Sequence, residues 1–338
     1  MKITTVLMQY DYGVKERGFS FEYTNVHLAL CDIFGTENVI HFDFLAKARA
    51  SGTEAMNAEL ADFIIREKPD AAIFCLFENE IKEETARKVS EHTKTCVYFF
   101  DDPWRQDYVN KWRKIFHYFT TSDHYMFRHY TATGITNALL SPFGFNNKVY
   151  VKKQLPYKYD VSFVGGYNSY RGWVIRLLQK AGIDVEVFGR GWKGDAKWIS
   201  TEEMVDVFNS SKINLNLSNS VSYDAGYLAR SLFSPKALKD ILMNKKTKEQ
   251  VKGRHYEINA CGGFQLSYFI PGLNLVYDID KEIVVYEDVR HLPELIRYYL
   301  DNGKLREEIA LNGYNKSREN HSAQDYLKNT IEQVLARK

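Results

Sequence analysis

The sequence has few cysteines, few prolines and no long apolar run. Its 338 residues include 4 cysteines and 7 prolines, and the cysteines stand far apart without a CxxC pair. This spacing argues against a disulfide scaffold or a zinc site and favours a reducing compartment. No apolar run approaches the ~18 residues that span a bilayer, and the apolar stretch at 3–8 is shorter than the core of a signal peptide. We therefore expect a cytoplasmic protein, peripheral at most to the inner face of the membrane.

An excess of one charge is also absent. The chain has 45 Lys and Arg against 43 Asp and Glu, a net charge of +2, so nothing predicts a nucleic-acid partner. The sequence contains no P-loop, GxSxG, HxxxH or HExxH motif, so the usual signatures of NTPases, hydrolases and metal sites are missing. We predict no metal site.

What the sequence does contain is a regular alternation of strands and amphipathic helices, first over 1–152 and again over 158–320. A stretch rich in proline, glycine and polar residues separates the two series. Buried strands spaced by helices of 10–15 residues are typical of parallel sheets covered on both faces. The pattern predicts an α/β protein with two Rossmann-like, doubly wound domains that face one another across a cleft.

Ligands of such sheets bind beyond the carboxyl ends of the strands. A carboxylate placed there can deprotonate or orient a hydroxyl group, although Asp102 before Pro103 can equally cap a helix. A glycine pair there can present backbone N–H groups to an anion, although it can equally form an ordinary tight turn. In the first half the rule selects 9–17, 77–79 and 101–104, which include Asp101 and Asp102. In the second half it selects 165–171, 189–192, 219–223 and 262–264, which include Gly165, Gly166, Arg171, Gly189, Arg190, Gly262 and Gly263.

The segment KGRHYEINACGGF at 252–264 is the most informative in the chain. Lys252 and Arg254 would bind phosphate, and Glu257 on the same helix would accept the hydroxyls of a ribose. The turn formed by Gly262, Gly263 and Phe264 would let the backbone approach a phosphate. The alternative is a solvated, charged helix face that ends in a glycine cap.

The same segment resembles the KGRxFExxACGG signature of CgeB-like glycosyltransferases, the spore-maturation type. The stretches DVSFVGG at 160–166, VFGRGW at 187–192 and KEIVVYED at 281–288 are similar to further motifs of that family, and FFDDPW at 99–104 resembles its DDP loop. The resemblance implies the GT-B architecture, a nucleotide-diphosphate sugar as co-substrate, no required cofactor and no obligatory metal. It also implies that a helix at 321–338 packs back on the first domain.

Residue roles follow from the resemblance. It implies that the second domain binds the donor and that Glu257 is the second glutamate of the E-x7-E motif of retaining GT-B enzymes. Glu249 stands eight positions earlier and completes the spacing. The first domain would bind the acceptor, with Asp102, or else Asp101, as the base. The predicted donor-binding residues are Glu257, Lys252, Arg254, Gly262, Gly263, Phe264, Gly165, Gly166, Arg171, Gly189, Arg190 and Glu249.

The resulting expectation is a glycosyltransferase of surface-glycan synthesis that acts on a glycan, protein or lipid-linked hydroxyl. The sequence leaves open the base, the sugar, the acceptor, the stereochemistry and the oligomeric state. Two alternatives remain, a non-catalytic nucleotide-sugar-binding or assembly protein and a sugar-nucleotide epimerase. An aromatic stripe interleaved with basic residues predicts either contact with a membrane surface or packing on the sheet; its residues are Trp104, Tyr108, Trp112, Ile115 and Phe119.

Overall fold

A computed structural model describes residues 1–193, 198–220, 224–244, 246 and 248–336. Contacts between Cα atoms divide the chain into two units. Unit 1 comprises Met1–Asn147 and His321–Lys338, and unit 2 comprises Lys148–Asn320. Each unit is an α/β layer structure around one parallel sheet.

In unit 1 the strand order is β2-β1-β3-β4-β5-β6, and in unit 2 it is β11-β10-β9-β7-β8. Every pairing between these strands is parallel. The strands are β1 Ile3–Val6, β2 Val39–Phe42, β3 Ala71–Phe74, β4 Lys94–Val97, β5 Tyr118–Thr121, β6 Ala138–Leu140, β7 Tyr159–Val164, β8 Glu186–Phe188, β9 Ser211–Asn216, β10 Gln265–Tyr268 and β11 Val284–Tyr286.

Helices alternate with these strands and cover the faces of both sheets. A π-helical stretch, Tyr23–His27, leads directly into the first α-helix. The α-helices are α1 Leu28–Phe34, α2 Phe44–Ser51, α3 Thr53–Glu67, α4 Glu83–Ser90, α5 Gln106–Trp112, α6 His124–Ala132, α7 Ser169–Lys180, α8 Thr201–Ser210, α9 Ala225–Ser231, α10 Pro235–Met243, α11 Gly253–Ala260, α12 Leu292–Asp301, α13 Gly303–Asn320 and α14 Ala323–Ala336.

The last helix belongs to the core of unit 1. Leu327, Ile331 and Val334 of α14 are buried in one apolar cluster with Ala29 and Leu30 of α1. Most residues of the strands in this unit are buried, including the threonines of β1 and β5, as is typical of a parallel sheet covered on both faces.

The aromatic stripe at 104–119 packs against the sheet. Val109 and Trp112 of α5 are fully buried in a core cluster with Ile115, and Phe119 lies in β5 rather than on a helix. The structure therefore agrees with the second alternative, packing on the sheet, because Trp112, Ile115 and Phe119 are buried inside unit 1, while Trp104 and Tyr108 are half-buried.

Residues 219–248, which break the sequence periodicity, include two helices. The Asp224 carboxylate accepts a hydrogen bond from the N–H of Tyr227 at 2.9 Å and caps α9. Ser234 accepts from the N–H of Ala237 at 3.3 Å, with Pro235 in the first turn of α10. These caps satisfy the free N–H groups of short helices that a weak apolar pattern does not predict.

Candidate functional site

The loops at the carboxyl ends of β7 and β8 pack directly on one another. The N–H of Gly165 donates to Phe188 O and that of Tyr167 to Arg190 O, both at 2.8 Å. Gly189 has a φ of +132°, and a Cβ atom there would collide with the carbonyl oxygen of Gly165. Glycine is required because the two backbones touch. The predicted residues Gly165, Gly166 and Gly189 thus share one edge of the sheet, while Arg190 is exposed and stacks over Trp198.

Arg171 connects this edge to the end of β9. Its guanidinium donates to Leu217 O at 2.8 Å, to Ser218 O at 2.9 Å and to Gly166 O at 2.9 Å. Burial lowers the pKa of Arg171 to about 10, so the side chain stays charged at neutral pH. The arrangement fixes a cation where an anionic ligand of the sheet would lie.

Glu249 lies beside Arg171 in a polar cluster. Its carboxylate accepts hydrogen bonds from the hydroxyls of Ser218 and Ser220. It also interacts electrostatically with Arg171 and with Tyr268, whose pKa is raised by burial well above its ordinary value. The buried hydroxyl of Tyr286 has no hydrogen-bond partner within the described ranges. It interacts electrostatically with Glu249 and Arg171. We call this set the Glu249 cluster: Arg171, Ser218, Ser220, Glu249, Tyr268 and Tyr286.

Sequence reasoning selected Ser220, within the stretch 219–223 after a strand, but missed Ser218, Tyr268 and Tyr286. Tyr268 and Tyr286 end β10 and β11, and the serines follow β9. With the strand bounds of the structure, the carboxyl-end rule selects all four.

Glu257 and Arg254 form a second polar group on α11. Glu257 is buried, and its two oxygens accept from Tyr150 OH at 3.0 Å and from Arg254 Nη1 at 2.6 Å. The Arg254 guanidinium also lies 5.0 Å from the centre of the Phe208 ring. The structure thus brings two predicted donor residues together as an ion pair, and a ribose would have to replace one of these partners.

Lys252 lies just before α11, where the helix begins. Its backbone N–H donates to Nδ1 of His255 at 3.0 Å, and Nε2 of the same ring lies 3.1 Å from the Ser267 hydroxyl. Burial lowers the pKa of His255 to about 4, so the ring is neutral and fixes the start of the helix. This holds Lys252 at the N-terminal end of the same helix as Arg254 and Glu257.

The turn at Gly262, Gly263 and Phe264 lies elsewhere, which corrects its predicted role. It precedes β10 and so stands at the amino edge of the sheet, opposite the Glu249 cluster. The N–H of Gly263 donates to Ile258 O at 3.1 Å, and a Cβ atom on this glycine would lie 2.7 Å from Asn214 Nδ2. The glycines cap α11 and allow close packing, as the alternative interpretation held. The turn lines a separate cavity of about 630 Å³ together with Lys152, Lys212 and Arg306.

In unit 1, the predicted base Asp102 is 1% exposed. Its Oδ2 accepts from Tyr130 OH at 3.2 Å, and its backbone carbonyl accepts from Gln106 at 2.5 Å. Burial raises the pKa of Asp102 to about 7, against hydrogen bonds from Thr121 and Tyr130 that lower it. The side chain is therefore enclosed by the protein rather than presented to a substrate.

The neighbouring Asp101 is half-buried and interacts electrostatically with Glu22, a residue that sequence reasoning missed. Burial raises the pKa of Glu22, and the charges of Asp11 and Asp101 add to the shift. Burial and the repulsion from these two charges thus both favour the protonated form of Glu22. Neither a motif nor the carboxyl-end rule selected Glu22, because this residue precedes a helix instead of following a strand.

Neither a metal-binding group nor a membrane-spanning helix occurs in the described ranges. No three His, Cys, Asp or Glu side chains in them are grouped so as to hold a metal ion. None of the helices in those ranges has the length and apolar content to cross a bilayer.

The comparisons with known proteins agree with this architecture. Residues 171–332, just under half of the chain, match a family model described as Glycosyl transferase-like. No curated protein matches the sequence.

Several solved structures match the whole chain at low identity. HepE from Anabaena, solved in complex with UDP-glucose, has 9% identity and a TM-score of 0.66, with complete coverage of both chains. A glycosyltransferase from Rickettsia africae has 10% identity and a TM-score of 0.66, also with complete coverage. Sucrose-phosphate synthase from Thermosynechococcus elongatus has 10% identity, a TM-score of 0.65 and coverage of 99% and 100%. The predicted GT-B fold is confirmed, and residues 171–332 are similar to the Glycosyl transferase-like family.

Proposed function

We propose that this chain transfers a hexose from a UDP-sugar to a hydroxyl acceptor, without an obligatory metal. The observation on which the proposal depends is the Glu249 cluster, which combines a fixed cation, a carboxylate and hydroxyl groups at the carboxyl edge of the unit 2 sheet. The UDP-glucose held by HepE, a protein of the same fold, supports uracil as the base and glucose as a first sugar to test.

Three cations would stabilise the departing UDP. Negative charge develops on the diphosphate as the bond from sugar to phosphate breaks, and fixed positive groups stabilise it without reorganisation. Arg171 is already held in place by three carbonyl groups. We assign Lys252 and Arg254 to the same diphosphate, in agreement with the CgeB-like resemblance.

The two glutamates would bind different parts of the donor. Glu249, held by two serine hydroxyls, would accept hydrogen bonds from the sugar. Glu257 would bind the ribose after exchanging its contact with Tyr150 or Arg254. Their spacing is that of the E-x7-E motif, which favours retention of configuration at the sugar.

On the acceptor side we assign the proton-accepting role to Asp101 together with Glu22. We do not assign this role to Asp102, because its side chain is buried and a general base must come within hydrogen-bond distance of the acceptor hydroxyl. Asp102 instead holds the loop after β4 against α6 through Tyr130.

Thermal melting with a panel of nucleotides tests donor binding. UDP, GDP, dTDP, CMP and ADP are each added in the presence and absence of EDTA. A ligand at 100 times its Kd stabilises the folded protein by about 2.7 kcal/mol. We expect stabilisation by UDP alone and no change with EDTA; a protein that responds to no nucleotide, or to UDP only with a metal, would contradict the proposal.

Release of UDP from UDP-glucose tests turnover without requiring a known acceptor, since water can replace it. Replacement of Glu249 by Gln should lower the rate of release about 100-fold and leave UDP affinity within about threefold. Glu308→Gln, at an exposed position of α13, is the matched control. Donor binding without release would favour a non-catalytic binding protein, and conversion of the donor to another UDP-sugar would favour an epimerase.

A further inference from the structure

Exposed apolar side chains are concentrated in one short part of unit 2. Leu232, Phe233, Leu242 and Met243 are 70%, 89%, 83% and 68% exposed. All other large apolar side chains within the described ranges are at most 51% exposed. Monomeric soluble proteins seldom present such groups together unless the surface binds something.

These side chains stand on a well-anchored segment. Tyr227 of α9 is buried, and its ring packs against Tyr170 and Trp173 with centroids 5.3 and 5.7 Å apart. The carboxylate of Asp240 on α10 accepts hydrogen bonds from the backbone N–H and the hydroxyl of Ser169, the former at 3.2 Å. The inward-facing side chains of α9 and α10 therefore already have partners within unit 2. The exposed apolar side chains before α10 and at its end are available to contact another surface.

The same segment is more basic than the rest of the chain. Residues 225–248 contain six Lys or Arg and one Asp, whereas the whole chain has 45 basic and 43 acidic residues. Lys236 and Lys239 lie on α10 between the two exposed apolar pairs, and both are exposed. Two copies of so basic a surface would repel one another, so its charge favours an anionic partner over self-association.

We propose that residues 225–244 bind the surface of an anionic lipid bilayer. Leu232, Phe233, Leu242 and Met243 insert among the headgroups, and Lys236 and Lys239 bind the lipid phosphates. Exposed apolar groups and basic residues on one segment are the combination that interfacial binding requires. The proposal does not rest on the proposed transferase function, and its test uses no nucleotide.

Co-sedimentation of the full chain with vesicles tests the proposal. Neutral phosphatidylcholine vesicles are compared with vesicles that contain about 30 mol% phosphatidylglycerol, at low and high salt. We expect binding to the anionic vesicles that weakens as salt is added, and at least about 25-fold weaker binding to the neutral ones.

Two double variants and their matched controls locate the surface. Phe233→Ser with Leu242→Ser should lower the affinity for anionic vesicles at least about tenfold, and Lys236→Gln with Lys239→Gln about 25-fold, since each charge contributes about fivefold. Leu275→Ser, and Lys281→Gln with Lys304→Gln, change exposed residues elsewhere in unit 2 and should bind as the wild type does. The exposed positions should tolerate these changes, so all melting temperatures should agree.

Three results would overturn the proposal. The first is no binding to anionic vesicles, and the second is binding that the control variants weaken as much as the segment variants. The third is a dimer in light scattering that Phe233→Ser with Leu242→Ser converts to a monomer, because the segment would then be an interface between two copies.

Discussion

Burial decides the protonation of single side chains in both units. Desolvation raises the pKa of Asp102 to about 7 and lowers that of Arg171 to about 10. At neutral pH, Arg171 therefore keeps its charge, whereas Asp102 is only partly ionised. Arg171 can therefore attract an anion, whereas Asp102 holds the loop after β4 through hydrogen bonds.

The raised pKa of Asp102 makes stability depend on pH. The unfolded chain loses this proton near pH 3.8, and the folded protein keeps it until about pH 7. The folded state binds more protons in that interval, so the free energy of unfolding falls as pH rises from about 4 to 7, by up to about 4 kcal/mol. Asp102→Asn removes the titration, and the difference in stability between variant and wild type should grow over that range in denaturant titrations. A difference that stays constant with pH would contradict the pKa.

The sequence selected two residues that the structure places in one cluster. Arg171 was selected by its position after a strand, and Glu249 by its spacing to Glu257. The sequence did not disclose that Asp102 is buried and Asp101 half-buried, because both follow the same strand and only packing against α6 separates them.

At the scale of an element, the glycine turn after α11 has a structural role. A Cβ atom on Gly263 would approach Asn214 and Phe208 O to 2.7 and 2.9 Å, closer than carbon atoms tolerate. We predict that Gly263→Ala lowers the free energy of unfolding by about 1–3 kcal/mol and leaves UDP affinity unchanged. Gly303→Ala is the control, since its Cβ would meet only Arg306 at 3.6 Å, and it should be neutral. Loss of UDP affinity in Gly263→Ala at unchanged stability would instead indicate that the turn is part of the donor site.

Two elements show where periodicity reaches its limit. The spacing at 104–119 fits an amphipathic helix, but α5 ends at Trp112 and Phe119 belongs to β5. The apolar side chains point inward in both cases, and the sequence alone cannot tell a core from a lipid surface. Conversely, α10 exposes apolar groups where the sequence appeared irregular.

At the scale of the whole molecule, the chain returns to unit 1 after completing unit 2. Leu327 of α14 is buried in the unit 1 core, whereas Leu335 is 36% exposed. Leu327→Ala should lower the stability of unit 1 by about 2–5 kcal/mol, and Leu335→Ala should change it by less than about 0.5 kcal/mol. Hydrogen exchange within β1 and β3 would report the loss, and equal effects of the two variants would show that α14 does not brace this unit.

The GT-B fold was predictable because strands buried on both faces, alternating with helices, leave few topologies. The site was predictable only in outline. The carboxyl-end rule located the edge near Arg171, but it also selected Gly262 and Gly263, as did the motif, although this turn precedes β10 and lies at the opposite edge. The sequence pattern did not reveal that the turn comes before a strand instead of after one.

Calorimetric titration of UDP into the EDTA-treated protein tests most directly whether the donor binds at the carboxyl edge of the unit 2 sheet. Wild type is compared with Arg171→Gln at that edge and with Lys212→Gln, which lines the cavity at the amino edge. We predict that wild type and Lys212→Gln bind UDP equally and that Arg171→Gln binds at least about tenfold more weakly, with folding of each variant verified by melting. Absence of binding to wild type, or loss of affinity in Lys212→Gln instead of Arg171→Gln, would contradict this location of the donor site.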